Sequence, residues 1–434
     1  MGTMRIVPQV EDTPVDFIMP KSPSSEGIPV ITDNTQLKNL CWRLRDEEFI
    51  AIDTEFMRDH SYYPRLCLIQ LAGQEEAAVV DPLANNGALD LEPLYELLRM
   101  PHIVKVFHAA RQDIEIFFHD ADFIPAPIFD TQVAAMVCGF GEAVSYATLV
   151  RKFLGENLDK SSRLTDWSRR PLSPKQLAYA LDDVVHLRHI YEALAKELEE
   201  SGRTSWVEEE MARLSAPQTY RLDPGDAWKR LRRRPRSRRA FGILIEVAAW
   251  RESLAQQRNV PRTRILKDDG LYEVIAAAPK NRNQIERLRA VPQGFANSKY
   301  AQSLLNAVAT GEARAKEPDF TLPKNLSSAV PAALVQASAE LLEMLKLLLK
   351  LQCARHKVAA KLIADSNTLE AFAIAKTDEE HEHPILSGWR KDVFGALALE
   401  AKKGNIAIGI EGDQMRIFDS KNAPRVTHKG VLDT

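Results

Sequence analysis

Two carboxylates stand two residues apart at the end of an apolar run in "FIAIDTEFMRD", residues 49 to 59. Phe49, Ile50, Ala51 and Ile52 read as a buried strand, so Asp53 and Glu55 share one of its faces. Like charges repel at that spacing, and burying an unpaired carboxylate is costly. The first cation that follows is Arg58. A divalent metal is the economical partner, because hard cations take carboxylate oxygens. For this pair alone, a solvated strand end is the alternative. A third acid, Asp113, changes that balance. In "AARQDIEIFFHD", Ala110, Ile114 and Phe117 form the apolar stripe of a helix, and Asp113 falls on the same inward side. Glu115 falls on the opposite side as a solvated acid. In "SPKQLAYALDDVVHL", Ser173 and Gln176 form a capping box with Pro174 at the first helical position. Tyr179 and Asp183 are then one turn apart on one face, while Asp182 points elsewhere and reads as a surface acid.

These side chains need a scaffold. "FIAID", "LCLIQLA", "AAVVD" and "VKVFHA" are short apolar runs bounded by turn residues, hence strands. The first three follow one another with short links, which makes that part of the sheet antiparallel. "ALDLEPLYELL", "ARQDIEIFF", "SYATLVRKFLG" and the long segment from Ser173 to Glu200 are helical by period. The alternation defines a mixed α/β sheet over residues 28–222. Residues 1–27, with four prolines and scattered serines, read as a loose leader. After a basic run, "KRLRRRPRSRR", an all-helical stretch occupies 228–311. A Pro-containing linker (312–330) leads to a third segment, 331–434, helical until the short "NIAIGIEGDQMRIF" tail.

Composition narrows the class further. At 434 residues the chain accommodates two or three domains, and its net charge of -3 says little by itself. The distribution says more. From Trp228 to Glu317 there are twenty Lys or Arg against eight Asp or Glu, a surplus of +12, so the remainder of the chain is acidic. A basic module tethered to an acidic centre implies a polyanionic ligand; the bland reading of Lys229–Arg239 is a solvated linker. Four cysteines lie far apart with no C-x-x-C pair, which argues against a zinc site and fits a reducing cytoplasm. No signal peptide is visible, and "LLEMLKLLLKL" is too short and charged to span a bilayer.

D-x-E in a first strand, a later Asp on a helix, and Y-x-x-x-D on another together resemble the DEDD 3′–5′ exonucleases. Position 178 is Ala and position 179 is Tyr, which matches the tyrosine subclass. More narrowly, "AIDTEFMRDHSYYPRLCLIQLA", "VFHAARQDIEIF" and "FDTQVAA" resemble the ribonuclease D family. The resemblance implies a ribonuclease H-like fold. It implies one metal on Asp53, Glu55 and Asp183, and a second on Asp53 supported by Asp113 through water. Tyr179 would orient the attacking water, and an oxygen-only ligand set implies Mg²⁺ or Mn²⁺. Thr54, Phe56 and His108 occupy positions where family members hold the 3′-terminal nucleotide. Phe56 would stack on a base or serve as a core residue; His108 would touch a phosphate or cap the following helix. "EVAAWRESLAQQRNVPRTRILKDDGLYEVIAAAP" resembles the HRDC domain, and the third segment resembles a degenerate second copy. The implied activity is 3′–5′ trimming of structured RNA such as tRNA precursors, with release of nucleoside 5′-monophosphates. The same chemistry on DNA and a catalytically silent nucleic-acid-binding scaffold are the rival readings. The scaffold would require a lost carboxylate, and none is missing.

Overall fold

The computed structural model describes residues 28–159, 161–323, 332–375 and 383–421; the leader 1–27, the end of the linker with residue 331, and the end of the tail lie outside these. Strand β1 (Val30–Ile31) is followed by helix α1 (Asn34–Leu44), whose first turn is capped by the Asp33 carboxylate. Then come β2 (Phe49–Met57), β3 (Arg65–Ala72), β4 (Ala77–Val80), α2 (Glu92–Arg99), β5 (Val104–Phe107), α3 (Arg111–Ala121), β6 (Ile128–Asp130), α4 (Thr131–Val137), α5 (Tyr146–Leu154), α6 (Pro174–Glu200) and α7 (Thr204–Leu214). The sheet order is β1-β4-β3-β2-β5-β6. As the short links imply, β2, β3 and β4 are antiparallel, while β5 runs parallel to β2 and β6 parallel to β5. The short edge strands β1 and β6 and the helix α1 are additions to the sequence reading. β1 and β6 have too few residues to show a period of two.

Alternation along β2 sends Ile50 and Ile52 to one face, where Phe107, Ile114 and Phe117 complete a core. Ala51 goes to the other face, onto Leu68, Ala72 and the inner side of α6 at Ala180 and Val184. The expected capping box is present: Ser173 Oγ accepts from Gln176 N at 3.3 Å and Gln176 Oε1 accepts from Ser173 N at 3.0 Å. This fixes where α6 begins, and therefore which of its residues face the sheet.

The helical half forms two further cores. One gathers around α8 (Arg238–Gln257), with α9 (Arg262–Ile265), α10 (Asp268–Ala277), α11 (Arg282–Glu286) and α12 (Ala301–Arg314). The basic run is not a linker here. Ala227 and Leu231 are buried in this core, Arg239 pairs with Glu312 at 2.5 Å, and Arg238 donates to the Glu317 carbonyl at 2.7 Å. Arg230 reaches the buried Glu252 at 3.2 Å. The other core builds on α13 (Ala332–His356) and ends in an antiparallel hairpin of β7 (Ile406–Glu411) and β8 (Gln414–Asp419). The "NIAIGIEGDQMRIF" tail is thus a hairpin, with Gly412 at φ 62° in its turn.

Both helical bodies dock on the α/β domain. The loop after β2 meets α8: Asn259 Oδ1 accepts from the backbone of Tyr62 and Tyr63, both at 3.0 Å, and the Tyr62 hydroxyl donates to Glu252. On the other side Trp206 of α7 stacks on Trp389 with ring centroids 4.5 Å apart. The guanidinium of Arg390 is 1 % exposed between Glu209 and Glu210. Gly139, at φ 83°, lets the α4 end approach the carbonyl of Lys357 so closely that a Cβ there would sit 2.5 Å from it.

Candidate active site

The C-terminal end of β2 lies between β3 and the parallel β5, with α6 crossing one face and α3 the other. The sequence-selected acids meet there. Asp53, Glu55 and Asp183 each offer a carboxylate oxygen, all within 4.8 Å of one another. Asp53 and Glu55 arrive by strand alternation, and Asp183 arrives from the buried side of α6. The ladder shifts register between Glu55 and Phe56, an irregularity of the kind that re-aims side chains beside functional sites. Asp113 comes from the first turn of α3 on the opposite face and is buried. The Thr54 hydroxyl donates to its Oδ1.

The electrostatics are those of a site built to hold positive charge. Burial pushes the Asp53 carboxyl well up, reinforced by the charges of Asp113, Asp183 and Glu55. Burial raises Glu55 to about 9, with Asp183 and Asp113 adding to it. Asp113 rises to about 7 by burial, opposed by its bond from Thr54. Asp183 rises to about 7 by burial, opposed by the Tyr179 hydroxyl that bonds to it. Burial and the neighbouring acids drive the Tyr179 phenol far above its usual range, so it is a hydrogen-bonding group and no base at neutral pH. An oxygen-only donor set of mutually repelling carboxylates fits a hard divalent cation.

These shifts set the behaviour of the metal-free protein. The folded values lie above the ordinary carboxylate range of about 4, so the folded state keeps protons that the unfolded chain gives up. The stability these groups contribute is complete below about pH 4 and is lost as pH rises toward about 9. Melting temperature in chelator should therefore decline through neutral pH, and Mg²⁺ should restore it. The decline should be shallower in Asp53→Asn, which has one fewer repelling charge. Equal slopes in both proteins would contradict this electrostatic account.

The remaining sequence candidates are placed as follows. Thr54 is 5 % exposed and serves Asp113, a contact made within the protein. Phe56 is half-buried, lines the cleft and belongs to no apolar core cluster among the described residues, unlike a core phenylalanine. His108 does not cap α3, whose N-terminal residue Ala110 has no side-chain cap. Its Nδ1 lies 3.0 Å from Thr131 Oγ1, its Nε2 is buried, and the ring lines the cleft. Two acids differ from the sequence reading. Glu115 is not a solvated acid: it is paired with Arg58, Nη2 to Oε1 at 2.6 Å, and its side chain is 15 % exposed. This also removes Arg58 as a counterion for Asp53 and Glu55. Asp182 is half-buried on the cavity wall, and burial beside Glu156 and Asp159 lifts it to about 6.

Two residues escaped the sequence reading. Asp130 accepts from Ala109 N at 3.0 Å and Ala110 N at 2.9 Å, fixing the turn at Ala109, φ 62°, that launches α3 with Asp113 on it. Arg163 stands exposed on the loop before α6, lines the cleft, and its charge opposes the upward shift of Glu55 and Asp183. Loop residues carry no periodicity, so spacing offered no signal for Arg163.

Four acids and a tyrosine converge at this central strand end, an oxygen donor set suited to a divalent cation. Residues 28–199 match the family described as 3′-5′ exonuclease, and residues 240–308 match the HRDC domain. The chain belongs to the ribonuclease D family. It is 47 % identical over 389 residues to ribonuclease D of Granulibacter bethesdensis, covering 90 % of this chain and 96 % of that one. It is 46 % identical to ribonuclease D of Gluconacetobacter diazotrophicus, covering 91 % and 98 %. The crystal structure of Escherichia coli RNase D, described as an exoribonuclease involved in structured RNA processing, aligns with TM-score 0.71 at 28 % identity, covering 87 % of this chain and 99 % of that one. The protein is a 3′–5′ exoribonuclease with an HRDC domain. No helix among the described residues is long and apolar enough to cross a membrane.

Proposed function

We propose that the enzyme trims 3′ extensions of structured RNA, with tRNA precursors as the substrate class, in the cytoplasm, and releases nucleoside 5′-monophosphates. The observation that carries this reading is the convergence of Asp53, Glu55 and Asp183 within 4.8 Å beside the buried Asp113. In this reading Asp53, Glu55 and Asp183 hold one divalent ion and Asp53 with Asp113 holds a second, Mg²⁺ or Mn²⁺. When bound, the ions supply a water of lowered pKa and neutralise charge on the leaving 3′ oxygen. Thr54 keeps the Asp113 carboxylate turned toward Asp53. Phe56 stacks on the terminal base, and the His108 ring, which lines the cleft, touches the terminal nucleotide. Tyr179, anchored on Asp183, orients the attacking water. The division of labour follows the proposed domains, with 28–222 for catalysis, 228–311 for holding RNA, and 331–434 as a second HRDC-like body.

Tyr179→Phe keeps the ring against Trp167 and removes only the hydroxyl. Turnover should fall at least about 10-fold, with metal affinity and melting temperature near wild type. A large loss of stability at unchanged turnover would make the phenol a structural group. For the helical module, Arg232 and Arg236 are exposed in the basic run. If both meet phosphates, changing both to Gln should lower the salt slope of RNA binding by about 1 to 2. An unchanged slope would remove them from the RNA path. The substrate reading itself is tested by matched RNA and DNA oligonucleotides beside a labelled tRNA precursor. Preference for RNA and accurate trimming support it, and faster degradation of DNA refutes it.

A further inference from the structure

A glutamine lies buried beside the acid cluster. Gln70 of β3 is 0 % exposed, and neither its Oε1 nor its Nε2 has a hydrogen-bond partner among the described residues. The antiparallel register sets it directly opposite Asp53, between the pairs Ala51 with Ala72 and Glu55 with Leu68. Directly opposed residues of an antiparallel pair point to one face, with Cβ atoms about 4.5–5.5 Å apart. Gln70 therefore shares the face that carries Asp53 and Glu55 and that α6 covers with Ala180 and Val184. A glutamine side chain spans that separation. A buried amide left unpaired is costly, and native proteins rarely keep one without a purpose. An apolar residue of similar shape would fill the same place at no such cost.

We propose that Gln70 is a positioning residue for Asp53: when a divalent ion binds, its unpaired Nε2–H turns to donate to the Asp53 carboxylate and fixes the orientation in which that carboxylate meets the ion. The proposal rests on the metal-binding reading given above. The amide acts on the ligand as outer partners of metal ligands do, by removing rotational freedom from a group that must point one way. It contributes no ligand atom of its own. The cross-strand register supplies the alignment, which explains why the amide comes from β3 and not from a loop.

The test uses the full-length protein and Mn²⁺ binding followed by electron paramagnetic resonance. Gln70→Met keeps the volume and removes the amide. Mn²⁺ affinity should fall about 10- to 100-fold, while the metal-free protein melts at or above the wild-type temperature. Turnover should recover at high metal concentration with KM for RNA unchanged. Wild-type Mn²⁺ affinity in Gln70→Met, beside its loss in Asp53→Asn, would overturn the positioning role and leave the metal site standing. Wild-type affinity in Asp53→Asn would overturn the metal reading and this proposal together. A second readout needs no variant at position 70. Gln70 and Gln352 are the two buried glutamines among the described residues, and Gln352 lies on α13 in the third body. In ¹⁵N-glutamine-labelled protein, a slowly exchanging side-chain amide pair should shift on addition of Mg²⁺ in the wild type and stay put in Asp53→Asn. No shift in the wild type would overturn the proposal.

Discussion

Asp53→Asn should lower hydrolysis by about 100-fold or more, because Asp53 faces both proposed ions and every other acid of the cluster. The change is nearly isosteric, and it removes one member of a set whose charges raise one another. The folded protein should therefore be no less stable without metal than the wild type. RNA binding should persist or tighten, since a negative charge leaves the site where phosphate sits. Asp182→Asn is the matched control: Asp182 is half-buried one residue from Asp183 but outside the group of converging oxygens. Its loss should cost little turnover. A fully active Asp53→Asn enzyme would refute the metal reading, and equal losses in both variants would reduce it to a general charge effect.

Arg390→Met should release the third body from the α/β domain. The guanidinium is 1 % exposed and serves Glu209, Glu210 and the Leu362 carbonyl, the last at 2.7 Å. Removing one partner of such a pair leaves its acids uncompensated, at a cost of about 3–5 kcal/mol where burial is complete. Glu209 is 32 % exposed and also meets Arg213 at 3.1 Å, so the lower part of that range applies. The stacked Trp206 and Trp389 would then be exposed to solvent. Small-angle scattering should show a larger radius, and tryptophan emission should shift to the red. Short single-stranded RNA should still be degraded, because none of these residues lines the cleft. An unchanged radius would mean that the tryptophan stack, the bonds of Arg203 to the His356 and Lys357 carbonyls and that of Ala359 N to the Met136 carbonyl hold the body in place without Arg390.

How much of this was legible in the sequence follows from range. Asp53 and Glu55 were readable because a strand repeats every two residues, and Asp113, Tyr179 and Asp183 because a helix repeats every three to four. The Ser173 capping box fixed the phase of α6 from four residues of local sequence. What escaped depends on contacts between distant segments. Glu115 read as a solvated acid because its partner, Arg58, comes from the end of β2, 57 residues earlier. Gln70 stands opposite Asp53 only through a strand register that no local pattern states. The joint of Tyr62 with Glu252 and the clasp of Arg390 on Glu209 and Glu210 span 190 and 181 residues of sequence. The basic run was read by its charge alone, whereas Ala227 and Leu231 at its edge tie it into the α8 core.

The central claim, that the carboxylate cluster is a metal-dependent centre working inward from an RNA 3′ end, is tested most directly by one comparison. An RNA labelled at its 5′ end is incubated with the enzyme in Mg²⁺, in chelator, and in Mg²⁺ with the 3′ hydroxyl blocked by phosphate. The account predicts a ladder shortening one nucleotide at a time with release of nucleoside 5′-monophosphates in the first, and intact RNA in the second and third. Internal fragments, or degradation that persists in chelator, would contradict it.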